Sequence, residues 1–339
     1  MIEKDVAIIG AGPAGLFSVF ECGMLGLSAV VFDALPEIGG QCTALYPEKP
    51  IYDIPGCPEV LAGDLIHNLE RQAAPFKPAY RLNQQVVSIS KQSCFWNIKT
   101  DKGVTAKVSA IVIAAGGGAF GPNRPPLEGI EKYEGTGVQY MVRRKDDFKG
   151  KNIVIAGGGD SAVDWALSLA SIAKTLYVVH RRDKFRATPE TVRQMEALAA
   201  AKKLELVVPY QLKALEGALE NGQMLLKNVI VASEEHGDRT LAADVLLPFY
   251  GLASELGPVG DWGLGIDHGH ITVDPYTCST NIEGIYAIGD IAAYKNKLKL
   301  ILTGFNEAAL SAHAIRKQIH PNEELHFEYS TTKGLPSAA

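Results

Sequence analysis

Lys4–Gly15 (KDVAIIGAGPAG) and Asn152–Ala162 (NIVIAGGGDSA) decide the fold. Each is a short apolar run that ends in glycine, passes through a Gly-rich turn and enters an apolar helical stretch. Each helix is followed by a second β-rich run, Ser28–Phe32 (SAVVF) in one case and Thr175–Val179 (TLYVV) in the other. Strand, turn, helix, strand is a βαβ unit. Two copies predict an α/β protein with two Rossmann-like dinucleotide-binding domains.

The residues of the first turn have separable roles. Gly10 permits the tight turn, Gly12 lets backbone approach a pyrophosphate, and Gly15 lets the helix pack closely. Pro13 and Ala14 open the helix, where proline's missing N–H costs nothing and free N–H groups and the helix dipole favour phosphate. Asp33 ends the second strand, eighteen residues after Gly15. A carboxylate there accepts hydrogen bonds from ribose hydroxyls. Ile38-Gly39-Gly40-Gln41-Cys42 follows, and Gly289-Asp290 lies at the mouth of the late strand Gly284–Ile288. With Asp290 free to bond ribityl hydroxyls, and the N-terminus of the last helix free to face a ring, the first site is read as an FAD site.

The second turn, Gly157-Gly158-Gly159-Asp160-Ser161-Ala162, repeats the fingerprint with alanine in third place. The same eighteen-residue spacing from Ala162 falls on His180, followed by Arg181 and Arg182, with Arg186 a further candidate for the same pocket. Exchanging a carboxylate for guanidinium groups removes repulsion against a 2′-phosphate and supplies forked donors. The second cofactor is therefore read as NADPH.

Alternating runs at Gln85–Ile89 and Phe95–Thr100 predict antiparallel strands between the copies, followed by a buried strand, Ala110–Ala115. Gly116–Glu131 is a Gly/Pro-rich connector, and a second crossing is expected near Leu247–Ala253. The NADPH domain, 118–249, is thus inserted into an FAD domain formed by 1–117 and 250–339.

Composition narrows the function classes. The 339 residues are 47% hydrophobic and 21% charged, as in ordinary globular proteins, and the net charge of −5 gives no general attraction to nucleic acid or anionic membrane. No apolar run is long enough to span a bilayer. Met1-Ile2-Glu3-Lys4-Asp5 lacks the basic start of a signal peptide. The cysteines, at positions 22, 42, 57, 94 and 278, form neither a disulfide framework nor a metal-ligand spacing, and a reducing cytoplasm is expected.

GAGPAG, IGGQ, GGGDSAVDWA, VHRRDKFRA and AIGD together resemble the low-molecular-weight thioredoxin reductases over nearly the whole chain. That family carries a Cys-x-x-Cys pair just before its second glycine motif. Here Val138–Arg144 (VQYMVRR) has no thiol there. The glutathione-reductase pattern needs a second cysteine five residues after Cys42, and position 47 is proline. What remains is similar to the ferredoxin–NADP reductases built on the thioredoxin-reductase fold, carried by Ala44-Leu-Tyr-Pro-Glu-Lys49 and by a tail continuing to Tyr329-Ser-Thr-Thr332. The resemblance implies that Tyr46 stacks on the flavin and that Gln41, Val86 and Phe120 line it. It also implies a second ring from Tyr329 and a hydroxyl from Thr331 or Ser330. It implies hydride transfer from NADPH to FAD and electrons passed singly to ferredoxin or flavodoxin, with no catalytic acid or base. It further implies a homodimer and an NADPH domain that swings on Gly116–Gly118 and Gly251. Reduction of another acceptor (a quinone, a small disulfide or oxygen) and a non-catalytic sensor binding both nucleotides stay open. Two basic segments, Arg143, Arg144, Lys145, Lys149 and Lys151 in one and Lys295, Lys297 and Lys299 in the other, are candidates for meeting an acidic partner.

Overall fold

In a computed structural model, residues 1–220, 222–323 and 334 are described, residues 119, 120 and 252–254 as backbone alone. The expected contacts of Tyr329, Ser330, Thr331 and the Phe120 side chain lie outside the described residues. The chain divides into two units, Met1–Phe120 with Ser254–Ala339, and Gly121–Ala253. The breaks fall a few residues later than the boundaries read from the sequence.

The first unit is built on a five-stranded parallel sheet in the spatial order Ile285–Ala287, Ala110–Ile113, Val6–Ile9, Ala29–Phe32, Ala79–Arg81. The central strands are apolar at every position because both faces are covered. Val6, Ile8, Val31 and Val112 pack with Val19, Ala308 and Ala312 on the helical side. Ala7, Val30, Ile111 and Ile113 pack with Trp96, Ile98 and Val108 of an antiparallel layer on the other. That layer contains the expected strands, observed at Val86–Gln92 and Phe95–Thr100. The helix Pro13–Met24 follows the first strand, with Pro13 at its first position. The final helix, Ile301–Ile319, packs against it.

The second unit holds a four-stranded parallel sheet, Glu205–Val207, Thr175–Val179, Asn152–Ala156, Val245–Pro248. The helix Asp160–Leu169 covers it with Ala162, Val163, Trp165, Ala166 and Leu169. A three-stranded antiparallel sheet, Gln211–Glu220, Gln223–Ser233 and Gly237–Ala242, has no counterpart in the sequence reading. Its Val229, Val231 and Leu241 share a core with Val154, Val179 and Leu246. In both units the glycine turn leaves the carboxyl end of a central strand, at the point where the strand order reverses.

Candidate functional site

A cavity of about 500 Å3 opens at the carboxyl ends of the first sheet, a size typical of small-molecule sites. Gly10, Gly12, Pro13, Ala14, Asp33, Gln41, Tyr46, Val86 and Asp290 all line it, so residues from five separate stretches of sequence converge. Gly15 does not line it. A Cβ on Gly15 would stand 1.9 Å from the Gly10 carbonyl oxygen, so its role is to let the helix close on the turn. Gly10, at φ +111°, would place a Cβ 2.2 Å from the Ala114 carbonyl oxygen. Gly12 differs from both: a Cβ there meets nothing within 4 Å and projects into open space.

The turn is braced by its neighbours. Asp33 Oδ2 accepts the Ala11 N–H at 2.6 Å and Oδ1 accepts the Leu35 N–H at 2.8 Å. The Gly39 N–H donates to the Ala11 carbonyl at 2.8 Å, tying the Gly-Gly-Gln loop to the same residue. Burial pushes the Asp33 carboxyl above its ordinary value, and the two backbone donors oppose this without winning. Each Asp33 oxygen keeps a lone-pair site for a ligand hydroxyl. Two helices begin at the cavity, one at Gly12–Ala14 and one at Leu300–Gly304. Asp290 is not on the last helix: it sits in its own short turn, Gly289–Ile291, and the helix begins at Ile301. An elongated group with a pyrophosphate and sugar hydroxyls fits this set of free N–H groups, open space at Gly12 and two carboxylates.

Sequence reading missed several lining residues, among them Gln84, Gln85, Leu256, Val259 and Gly304. They carry no motif, and folding alone brings them to the strand ends. Tyr46 is half-buried and its hydroxyl lies 4.0 Å from Cys42 Sγ. Burial pushes the Cys42 thiol up to about 11 and the Cys22 and Cys278 thiols up to about 12. These are poor nucleophiles near neutrality.

In the second unit a Cβ on Gly157 would lie 2.6 Å from the Phe249 carbonyl oxygen, while Gly159 faces open space as Gly12 does. Ala162 is buried against the turn and Ser161 is exposed. Asp160 spends its carboxylate on Thr188, accepting both its N–H at 2.9 Å and its hydroxyl at 3.2 Å, at the start of the helix Pro189–Ala200.

His180 is 8% exposed, its ring covers Gly158, and its Nε2 has no hydrogen-bond partner among the described residues. Burial, then the nearby Arg186, Arg181 and Arg182, hold its pKa below the usual histidine value. The three guanidinium groups are exposed, cluster about His180 and make no ion pair among the described residues. Thus Arg181, Arg182 and Arg186 present charge to solvent, and His180 lies beneath them as packing.

The expectation of three free lysines near Asp290 is corrected by the structure. The Lys297 side chain is 5% exposed and paired with the buried Glu307, leaving Lys295 exposed and Lys299 bonded to His270 Nε2 at 2.7 Å. Among the described residues no helix is long and apolar enough to cross a membrane, and no cluster suited to a metal ion occurs.

A model of the pyridine nucleotide-disulphide oxidoreductase family matches residues 4–308. A ferredoxin–NADP reductase of Acidiphilium cryptum is 59% identical, covering 100% of this chain and 99% of that protein. Those of Granulibacter bethesdensis and Rhodospirillum rubrum are 57% and 53% identical, each covering 99% of this chain and 95% and 97% of theirs. Among solved structures, thioredoxin reductases of T. acidophilum and Lactococcus lactis match with TM-scores of 0.80 and 0.79 at 22% and 24% identity. Each match covers 94% of this chain and 99% of the other. These two structures establish a shared fold.

Proposed function

This chain belongs to the pyridine nucleotide-disulphide oxidoreductase family and, within it, to the ferredoxin–NADP reductases, and from that premise we propose that FAD occupies the cavity of the first unit, that NADPH binds the glycine turn of the second, and that electrons leave for ferredoxin without a redox-active disulfide. The chain is an oxidoreductase. Bound in these sites, the cofactors would supply the chemistry: a hydride from NADPH, its two electrons passed on one at a time and its proton released to water. The observation that carries the reading is the convergence of Gly12, Asp33, Gln41, Tyr46 and Asp290 on one cavity.

The protein's part is binding and orientation. The backbone N–H groups of Gly12 and Ala14 take the pyrophosphate, helped by the helix dipole. Asp33 holds the ribose and Asp290 the ribityl chain. Tyr46 offers a ring face, and Val86 and Gln41 complete the wall. In the second unit Gly159 admits the nicotinamide dinucleotide's pyrophosphate, and Arg181, Arg182 and Arg186 take the 2′-phosphate. The absence of a thiol relay is supported by the burial of Cys42 and by proline at position 47. Exposed Lys295 of the first unit is one candidate for meeting an acidic carrier, and exposed Arg143 and Arg144 of the second unit are another. Flavodoxin as an alternative carrier, a homodimer and a cytoplasmic location extend the same proposal.

Anaerobic NADPH should bleach the yellow protein, and electrons should reach ferredoxin, followed through a ferredoxin-dependent dye or cytochrome. A serine variant of all five cysteines should retain this turnover. Bleaching with no ferredoxin-dependent step would assign the electrons to another acceptor, and no bleaching would leave a nucleotide-binding sensor.

A further inference from the structure

The turn that carries Asp290 is held from beneath by a buried charge cluster. Glu307, on the final helix, is 1% exposed. Its Oε2 accepts the Gly289 N–H at 2.6 Å. Its Oε1 accepts the Tyr294 hydroxyl at 2.8 Å and the ammonium of Lys297. Lys297 Nζ also lies 5.0 Å from the Tyr294 ring centroid. One helical turn earlier, a Cβ on Gly304 would stand 3.1 Å from Ala14 Cβ and 3.5 Å from Gly289 Cα. The first turn of the N-terminal helix, the Gly289–Ile291 turn and the final helix therefore meet at one point, and Glu307 clamps it.

A buried ion pair seldom adds net stability over well-packed apolar side chains, because both charges leave water. What an apolar pair cannot do is accept a backbone N–H. Glu307 spends one carboxylate oxygen on the residue next to Asp290, and Asp290 lines the cavity. We propose that Glu307 is a positioning residue for the flavin site: through the Gly289 N–H it fixes where Asp290 meets the ribityl chain, and Lys297 is the counter-charge that allows a carboxylate to be buried there. The inference rests on the reading of the cavity as the FAD site.

The test is FAD titration of the flavin-stripped full-length chain, with the visible circular dichroism of the bound flavin as a second readout. E307L/K297M removes both charges together and strands neither. It should weaken FAD binding about tenfold, the order of one charge-assisted hydrogen bond, and alter the flavin dichroism. E307Q/K297M restores an acceptor toward Gly289 and should bring affinity back to within about threefold of the parent. In a D290A background E307L/K297M should add little, because Glu307 acts through Asp290. Parent-like affinity in E307L/K297M, no rescue by E307Q/K297M, or full additivity with D290A would each overturn the proposal. Should E307L/K297M not fold, E307D, one methylene shorter, carries the same test: weaker binding supports the role and unchanged binding refutes it. A parent chain with no affinity for FAD would end the cavity reading itself, a result distinct from any of these.

Discussion

At the second position of the first glycine turn stands Ala11, and at the second position of the other stands Gly158. Both are gripped from two sides. The residue ending the next strand holds each from one side, Asp33 by accepting the Ala11 N–H and His180 by laying its ring on Gly158. Six residues further on, a backbone N–H reaches each carbonyl, Gly39 to Ala11 at 2.8 Å and Arg186 to Gly158 at 2.7 Å. The geometry is shared and the chemistry is not. A carboxylate leaves room for a Cβ and keeps lone pairs for hydroxyls. An imidazole needs the Cβ gone, removes the negative charge and leaves its surroundings to three guanidinium groups. On the function proposed above, one scaffold would serve a ribose in one unit and a ribose phosphate in the other, through the choice of strand-end residue.

The comparison breaks most sharply at the glycines that face open space. A Cβ at Gly12 meets no protein atom within 4 Å, so Gly12→Leu should fold and yet emerge from purification largely colourless. Gly159→Leu should stay yellow and lose NADPH-driven bleaching. Both are read from the flavin spectrum, and equal flavin content in the two variants would erase the distinction between the sites.

Next in size is the guanidinium cluster. Each charge-assisted hydrogen bond contributes about 1.5–3 kcal/mol, so Arg181→Ala with Arg182→Ala should weaken NADPH at least about tenfold. Steady-state kinetics with NADH should change little. If the double variant still prefers NADPH as strongly as the parent, the 2′-phosphate is held elsewhere.

Smaller effects separate the two braces. A Cβ on Gly158 would come within 2.2 Å of the His180 ring. Gly158→Ala should therefore cost about 1–3 kcal/mol of unfolding free energy by overpacking. His180→Ala added to it should recover most of that. Ala11→Gly should cost only about 0.5–1 kcal/mol of backbone entropy. Denaturant titrations decide it, and equal losses from the two single changes would mean the ring does not brace the turn.

The smallest effect is one of pH. Burial raises the Asp33 pKa, so the unliganded fold favours the protonated carboxyl. Its contribution to apoprotein stability is greatest at low pH and is lost as pH rises through the raised value. Hydroxyl donors from a bound ribose favour the ionised form. FAD affinity should accordingly fall as pH drops through a window above the ordinary aspartate value of about 3.9, and Asp33→Asn should flatten that fall. A pH profile unchanged by the substitution would remove Asp33 from ribose binding.

Much of this was readable in advance because glycine, charge and strand periodicity are local signals. The parallel strands, both glycine turns, Asp33 and the basic stretch after His180 are each visible in a few consecutive residues. The antiparallel sheet of the second unit was not: Gln211–Glu220 (QLKALEGALE) is rich in residues with high helix propensity. Pairing with Gln223–Ser233 overrides that preference. Lys297 and Glu307 were equally hidden. A lysine in a basic loop reads as solvated, and nothing ten residues away announces its carboxylate.

The strand order of the first sheet has a consequence for biosynthesis. Four of its five strands leave the ribosome within the first 113 residues, but Ile285–Ala287 and the helix that covers it come after the entire second unit. Residues 121–253 are contiguous and need no later sequence for their sheet, so they are free to fold while the earlier strands wait. In that interval Ala110–Ile113 offers an unpaired apolar edge, the kind of surface that chaperones retain and aggregates recruit. A translational pause anywhere between Ile113 and Ile285 should therefore lower the yield of active protein more than the same pause placed before Ala110, when that edge does not yet exist.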